Sequence, residues 1–231
     1  MKQLVLDLRP DRPPTLENFV PGGNAELLDS LALLANAPAQ DQRLPGAHLY
    51  LWGSAGSGRS HLLRAAVDRA RARGRPAFFQ LAFALADDLP DDDNALLAVD
   101  DVERLAPAAQ IALFNAFNRA RGKGQSLLLS GLAAPQGLAL REDLRTRIGQ
   151  SLIFEVRPLD DETRAAILHS LAARSGLRLS DEVVNFMLNH GHRDLPGMAA
   201  AFGALDAASL ERKRPITLPL LRELMQQGLQ L

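Results

Sequence analysis

The sequence predicts an α/β chain: a parallel five-stranded sheet with helices on both faces, followed by a small all-helical domain. Three observations carry this expectation. Short apolar stretches alternate with helix-periodic ones from residue 48 to residue 156. After Arg157-Pro158 the strand-like runs stop and four helix-periodic segments follow. The length, 231 residues, suits one large or two small domains at roughly 100–200 residues each.

Each element has a local signal. Residues 3–8 alternate apolar side chains, and Arg9-Pro10-Asp11-Arg12-Pro13-Pro14 is broken by prolines that remove backbone donors and favour extended chain. Glu26 to Leu34 has helical spacing, with Leu27, Leu28, Leu31 and Leu34 on one side. His48–Trp52 reads as a buried strand. Ser60–Arg73 reads as a helix with Leu62, Leu63, Ala66, Val67 and Ala70 inward and Gly74 ending it. Ala77–Leu81, Leu96–Val99 and Leu127–Leu129 are the second, third and fourth strands. Between the last two, Pro107 opens a helix with Ile111, Phe114 and Phe117 inward and Gly122 after it. Leu152–Val156 is the fifth strand. Uninterrupted apolar runs of this length fit a parallel sheet covered on both faces. Asp161–Arg174, Asp181–Asn189, Pro196–Arg212 and Leu218–Gly228 are then helices. Gly176 follows the first, Ser180 and Thr217 are N-caps, and Pro196 stands in a first turn. The expected division is a tail and linker over 1–14, an α/β domain over 15–157 and a helical domain over 158–231.

Composition excludes several classes of protein. With 47% hydrophobic and 23% charged residues, disorder is not the dominant state. There is no cysteine, so disulfides, thiolate zinc sites and a catalytic thiol are excluded. A formal net charge of -1 argues against a surface that coats nucleic acid. No uncharged apolar run reaches membrane-spanning length and the N-terminus lacks the order of a signal peptide, so a cytoplasmic protein without a membrane partner is expected. Only three of the 26 basic residues are lysine, which reads as compositional bias except where a motif places an arginine. The acidic loop Asp87-Asp88-Leu89-Pro90-Asp91-Asp92-Asp93 reads as a solvated turn, because no rigid ligand spacing surrounds it.

The chemistry concentrates after the first strand. Gly53-Ser54-Ala55-Gly56-Ser57-Gly58-Arg59-Ser60 has the phosphate-loop pattern, with arginine in the usual lysine position. Glycines let successive backbone N–H groups turn toward one centre, and the helix N-terminus adds partial positive charge. Ser60 is placed to hold Mg²⁺, and Arg59 to reach the outer phosphates. Guanidinium is a wider planar fork than ammonium. The exchange is either harmless or one that keeps diphosphate binding while spoiling the geometry for triphosphate cleavage. Leu96-Leu97-Ala98-Val99-Asp100-Asp101 is a Walker B-like strand end: Asp100 would hold the magnesium through water, and Asp101 occupies the usual base position, where glutamate is commoner. Ser130, after the fourth strand, is placed either to orient an attacking water or as a satisfied structural hydroxyl.

This ordered set resembles the AAA+ ATPases, and within them the DnaA-related group. Thr15-Leu16-Glu17-Asn18-Phe19-Val20-Pro21-Gly22-Gly23-Asn24 resembles that group's adenine-side segment. Gly58-Arg59-Ser60-His61-Leu62-Leu63 is similar to the loop of its regulatory members, which inactivate the initiator. The resemblance covers essentially the whole chain. It implies bound ADP or ATP with Mg²⁺, and contacts to the base from Phe19, Val20 and Asn24. It also implies that Arg147, in Asp143-Leu144-Arg145-Thr146-Arg147-Ile148-Gly149, acts as an arginine finger in a neighbour's ATP site, with Arg145 as runner-up and a surface ion pair with Asp143 or Glu142 as the plain alternative. Gln3, Leu4, Leu6 and Leu8 resemble a motif that binds the β sliding clamp of DNA polymerase III. The family's lid arginine falls on Pro196; Arg193, one turn earlier, either substitutes for it or caps and pairs with Asp194. With no segment for a helix-turn-helix domain after the lid, direct sequence-specific DNA binding is not expected.

The implied role is a regulator that docks on the DNA-loaded clamp and stimulates ATP hydrolysis by the DnaA initiator, leaving inactive ADP-bound initiator and preventing re-initiation. The alternative is a self-sufficient AAA+ ATPase resembling helicase loaders, which turnover by the isolated protein would reveal. A small-molecule kinase fits less well, because the helices follow the sheet instead of forming a lid within it. The oligomeric state, homo-oligomer included, is left open by the sequence.

Overall fold

A computed structural model describes residues 13–36, 48–86, 88–192 and 194–227. Pro13–Arg157 form one compact unit and the chain from Pro158 onward belongs to a second.

In the first unit the strands are β1 (Leu49–Trp52), β2 (Ala77–Leu81), β3 (Leu96–Asp100), β4 (Ser126–Gly131) and β5 (Leu152–Glu155). They form one sheet in the order β2-β3-β4-β1-β5, every neighbour pair parallel. Parallel neighbours need crossovers, and the helices that supply them cover both faces. The two-residue side-chain period of the strands sorts the core. Leu49, Leu51, Leu96, Ala98 and Leu128 pack against α1 (Ala25–Asn36) and α2 (Arg59–Ala72). Tyr50, Leu97, Val99, Leu127 and Leu129 face the opposite way, against α3 (Pro107–Lys123) and α4 (Glu142–Gly149).

Three sequence expectations need correction here. Ile111 is 45% exposed, because α3 turns Ala109, Ala112, Leu113, Ala116 and Phe117 inward instead; small alanines let this helix lie close to the sheet. Gly122 lies inside α3, and the helix stops at Gly124, whose left-handed φ of 64° forms the C-cap. The acidic loop is pinned to α3 as well as exposed: Asp91 pairs with both Arg119 and Lys123, and Arg119 Nη2 also donates to Leu89 O at 2.7 Å. The Lys123 hydrogen bond, the leading cause, holds the Asp91 carboxyl below its ordinary pKa.

The second unit contains α5 (Asp161–Arg174), α6 (Asp181–His190), α7 (Leu195–Arg212) and α8 (Leu218–Gln226). Its core gathers Leu168, Val183, Met187, Phe202, Leu205 and Leu221, among others. Asp160, Ser180 and Asp194 cap α5, α6 and α7, each side chain accepting from an N–H of the first turn. Thr217 occupies the N-cap position of α8, but its side chain makes no capping bond. No helix among the described residues is long and apolar enough to cross a membrane.

Arg75, between α2 and β2, fastens the first unit from inside. Only 5% exposed, it donates to Asn94 O at 2.7 Å, Leu34 O at 2.8 Å and Ser126 Oγ at 2.9 Å. One cation thus joins α1, the approach to β3 and the start of β4. Arg75→Ala strands these buried acceptors, so a loss of about 3–4 kcal/mol is expected at a penalty of roughly 1–3 kcal/mol per buried unsatisfied group. Urea unfolding would show it as a lower midpoint with unchanged slope; a midpoint equal to the parent's would contradict it.

Candidate functional site

β1 runs into the glycine-rich loop, and Gly58 gives way to α2. Gly56 and Gly58 both have left-handed backbones, φ 76° and 95°, a region that glycine enters without steric cost. Space is tight as well: a Cβ on Gly58 would lie 2.6 Å from Phe19 Cε2, and one on Gly53 2.7 Å from Val156 O. The first N–H groups of α2 have no partner within the helix, which leaves donors and partial positive charge at the loop. Ser57 Oγ and Arg59 Nη1 are buried, and neither has a hydrogen-bond partner among the described residues. Buried donors in this state suit an anion, so the loop fits a phosphate group.

Neighbouring strand ends deliver the carboxylates. β3 ends at Asp100, buried to 1% exposure, and β4 carries the fully buried Ser130. The Ser130 hydroxyl donates to Asp100 Oδ1 and accepts the Asp101 N–H at 3.1 Å. Arg59, 7% exposed, extends from α2 and places Nη2 at 3.3 Å from Asp101 Oδ1. The structure therefore brings Arg59, Asp100, Asp101 and Ser130 together, with Ser60 exposed in the first turn of α2.

The segment before α1 closes one side. Phe19 lies against Gly58, and its ring centroid is 5.7 Å from that of His61. His61 Nε2 donates to Thr15 O at 2.9 Å, and burial lowers its pKa. Val20 is buried. Asn24 has its amide committed: Nδ2 donates to Pro21 O at 3.0 Å and Arg157 O at 2.9 Å, while Oδ1 accepts the Arg157 N–H at 2.8 Å. Its side chain thus joins this segment to the end of β5, a role its sequence context did not reveal.

α4, which the sequence reading left unassigned, carries Arg147 exposed near its end. Arg147 Nη2 donates to Asn118 Oδ1 at 2.9 Å, and the guanidinium lies 5.9 Å from the Phe114 ring centroid. Asp143 pairs with Arg141 at 2.7 Å. An open cavity beside it is lined by Phe114, Arg141, Thr146 and Arg147, among others. His48 Nδ1 accepts the Leu127 N–H at 3.2 Å, and burial first and the Arg147 charge second push its pKa down to about 4. Asn118 was missed from sequence, where nothing marks its partner, and Phe114 was read only as an inward-facing helix residue. Gln3, Leu4, Leu6, Leu8 and Arg193 lie outside the described residues; Pro196 stands in the first turn of α7, where Asp194 accepts from Gly197 N at 2.8 Å.

With fold and site in view, comparison with known proteins places the chain. A family model described as Hda, lid domain, matches residues 161–225. A Haemophilus influenzae relative of uncharacterised function is 32% identical over 235 residues, spanning 97% of this chain and 98% of the relative. Domain III of the Thermotoga maritima replication initiation protein DnaA superposes with a TM-score of 0.72 at 22% identity, covering 95% of this chain and 98% of that one. AMPPCP-bound DnaA from Aquifex aeolicus gives 0.67 at 24% identity, over 88% of this chain and 69% of that one. The five-stranded parallel sheet and the helical unit after it have the AAA+ fold of DnaA domain III, residues 161–225 match the Hda lid domain, and the chain belongs to one family with its Haemophilus influenzae relative.

Proposed function

We propose that this chain binds ADP or ATP with Mg²⁺ in the glycine-rich loop and acts on the DnaA initiator while tethered to the sliding clamp. The supporting chemistry starts at the loop, where unpartnered buried donors on Ser57 and Arg59 fit a phosphate. Gly53, Ser54, Ala55, Gly56, Ser57 and Gly58 would supply the cradle, with Arg59 toward the outer phosphate and Ser60 and Asp100 toward the metal. The bound Mg²⁺ would neutralise phosphate charge. Phe19, Val20 and His61 would wall the base side, with Asn24 fixing that wall through the Arg157 backbone. Arg193 remains a candidate lid contact, on sequence alone.

The observation that carries the regulatory reading is the exposed Arg147, supported on one side by Asn118 and Phe114 while Asp143 is occupied by Arg141. A guanidinium held by a neutral amide keeps its full charge for another molecule. Charge spread over transferring phosphoryl oxygens is stabilised by a delocalised cation, and a finger supplied in trans accelerates hydrolysis by roughly 10³–10⁵. Asp101 and Ser130, engaged with Arg59 and Asp100, would serve the chain's own site and not the partner's.

Three outcomes are expected. Arg59→Ala weakens ADP binding by about 1.5–3 kcal/mol, the range for charge-assisted hydrogen bonds; unchanged affinity by titration calorimetry would remove Arg59 from the site. Arg147→Ala keeps the fold and ADP binding but lowers stimulation of initiator ATPase about a thousandfold or more. Arg147→Lys rescues it poorly, for want of the planar fork; conversion of ATP-bound initiator at the parental rate by Arg147→Ala would refute the role. Replacing Gln3 and Leu4 together by alanine abolishes clamp pull-down with ADP affinity intact, since an extended peptide is held by such side-chain anchors; retained clamp binding would send the tether elsewhere.

A further inference from the structure

We propose that Asp101 is a resident counter-ion for Arg59: a carboxylate that holds the guanidinium until the outer phosphate of a nucleoside diphosphate takes its place. This deepens the reading of the loop as a nucleotide site and adds to it a competitor built into the chain.

The asymmetry of the pair argues for exchange. Arg59 is 92% buried at its side chain, with Nη2 at 3.3 Å from Asp101 Oδ1 and Nη1 buried without a partner among the described residues. A buried cation with one edge of its fork unfilled is incompletely satisfied, and a ligand that offers several anionic oxygens satisfies it better. Asp101 is the partner that can leave, because its side chain is 29% exposed and water takes over its solvation. Its backbone need not follow. The N–H is held by Ser130 Oγ at 3.1 Å, and the left-handed conformation, φ 57° and ψ 57°, is set by the turn after β3. Exchange therefore costs a side-chain rotation and no refolding.

Pairing also bears on hydrolysis. A carboxylate oxygen turned toward a guanidinium is not turned toward an attacking water. Asp101 stands where a base would be sought, and in this structure it serves Arg59. The chain's own turnover is then slow when the pair is closed, which suits a protein that keeps its nucleotide while acting on another molecule's.

The test is calorimetric titration of ADP in EDTA, so that no cation bridges the carboxylates, on the parent, Asp101→Asn, Arg59→Ala and the double variant, each freed of nucleotide. Asparagine is tolerated at left-handed φ, and Asp101→Gly is a second carboxylate-free variant at that geometry; coincident thermal melts confirm folding. Asp101→Asn and Asp101→Gly are expected to bind ADP about five- to tenfold more tightly, within the usual span of coupling between a site and its competitor. In the Arg59→Ala background the same change has no effect, because the cycle isolates the pair. Unchanged or weaker ADP binding by both carboxylate-free variants overturns the proposal. So does a gain that survives without Arg59, which would be plain repulsion between Asp101 and phosphate. Full ADP affinity in Arg59→Ala alone is a separate failure, of the nucleotide reading itself.

Discussion

The Ser130 hydroxyl is the joint on which the site is assembled. It donates to Asp100 and accepts from the Asp101 N–H, so one oxygen fixes the ends of β3 and β4 against each other. The two strands are neighbours only because β4 is inserted between β3 and β1. Parallel strands deliver all their C-terminal ends to one edge, and that edge is where the glycine-rich loop leaves β1. A buried carboxylate is costly unless hydrogen-bonded. Asp100 receives its bond from Ser130 and needs no cation of the protein's own for that purpose. Arg59 is left to meet Asp101.

α3 plays a parallel part on the other side of the sheet. Its apolar face packs on β3 and β4, its last turns hold the acidic loop through Arg119 and Lys123, and Asn118 and Phe114 support Arg147. A single helix therefore positions a loop and a guanidinium that are distant in sequence. Its alanine-rich inner face keeps it close to the sheet, which is why Ile111 has room only on the outside.

Sequence periodicity alone located every strand and most helices, because the central strands β1, β3 and β4 are buried almost throughout and even the exposed β5 is an apolar run. It missed α4, whose eight residues carry only Leu144 and Ile148 to the core, too few for a helical period to be visible. The loop glycines, the Asp100–Asp101 pair and Ser130 were legible as types at spacings that chemistry requires. Their pairing was not: nothing in the order of residues states that Arg59 reaches Asp101, or that the Asn24 amide is spent on the Arg157 backbone. Such contacts are set by which strand ends adjoin, and the strand order is absent from local pattern. Gly122 and Gly124 show the limit at finer scale, since both are plausible helix terminators and only the packing of the last turn chooses between them.

The left-handed backbone at Asp101 has a consequence for how this chain can change over generations. Aspartate enters that region more readily than most residues, helped by its short polar side chain. Glutamate lies one codon base away and would lengthen the carboxylate toward a bound phosphate, yet at positive φ it carries a steric cost of about 1–2 kcal/mol. A lengthening of the carboxylate at this turn thus begins with a loss of stability. Backbone geometry at one turn therefore favours the shorter acid there, whatever the nucleotide site itself would select.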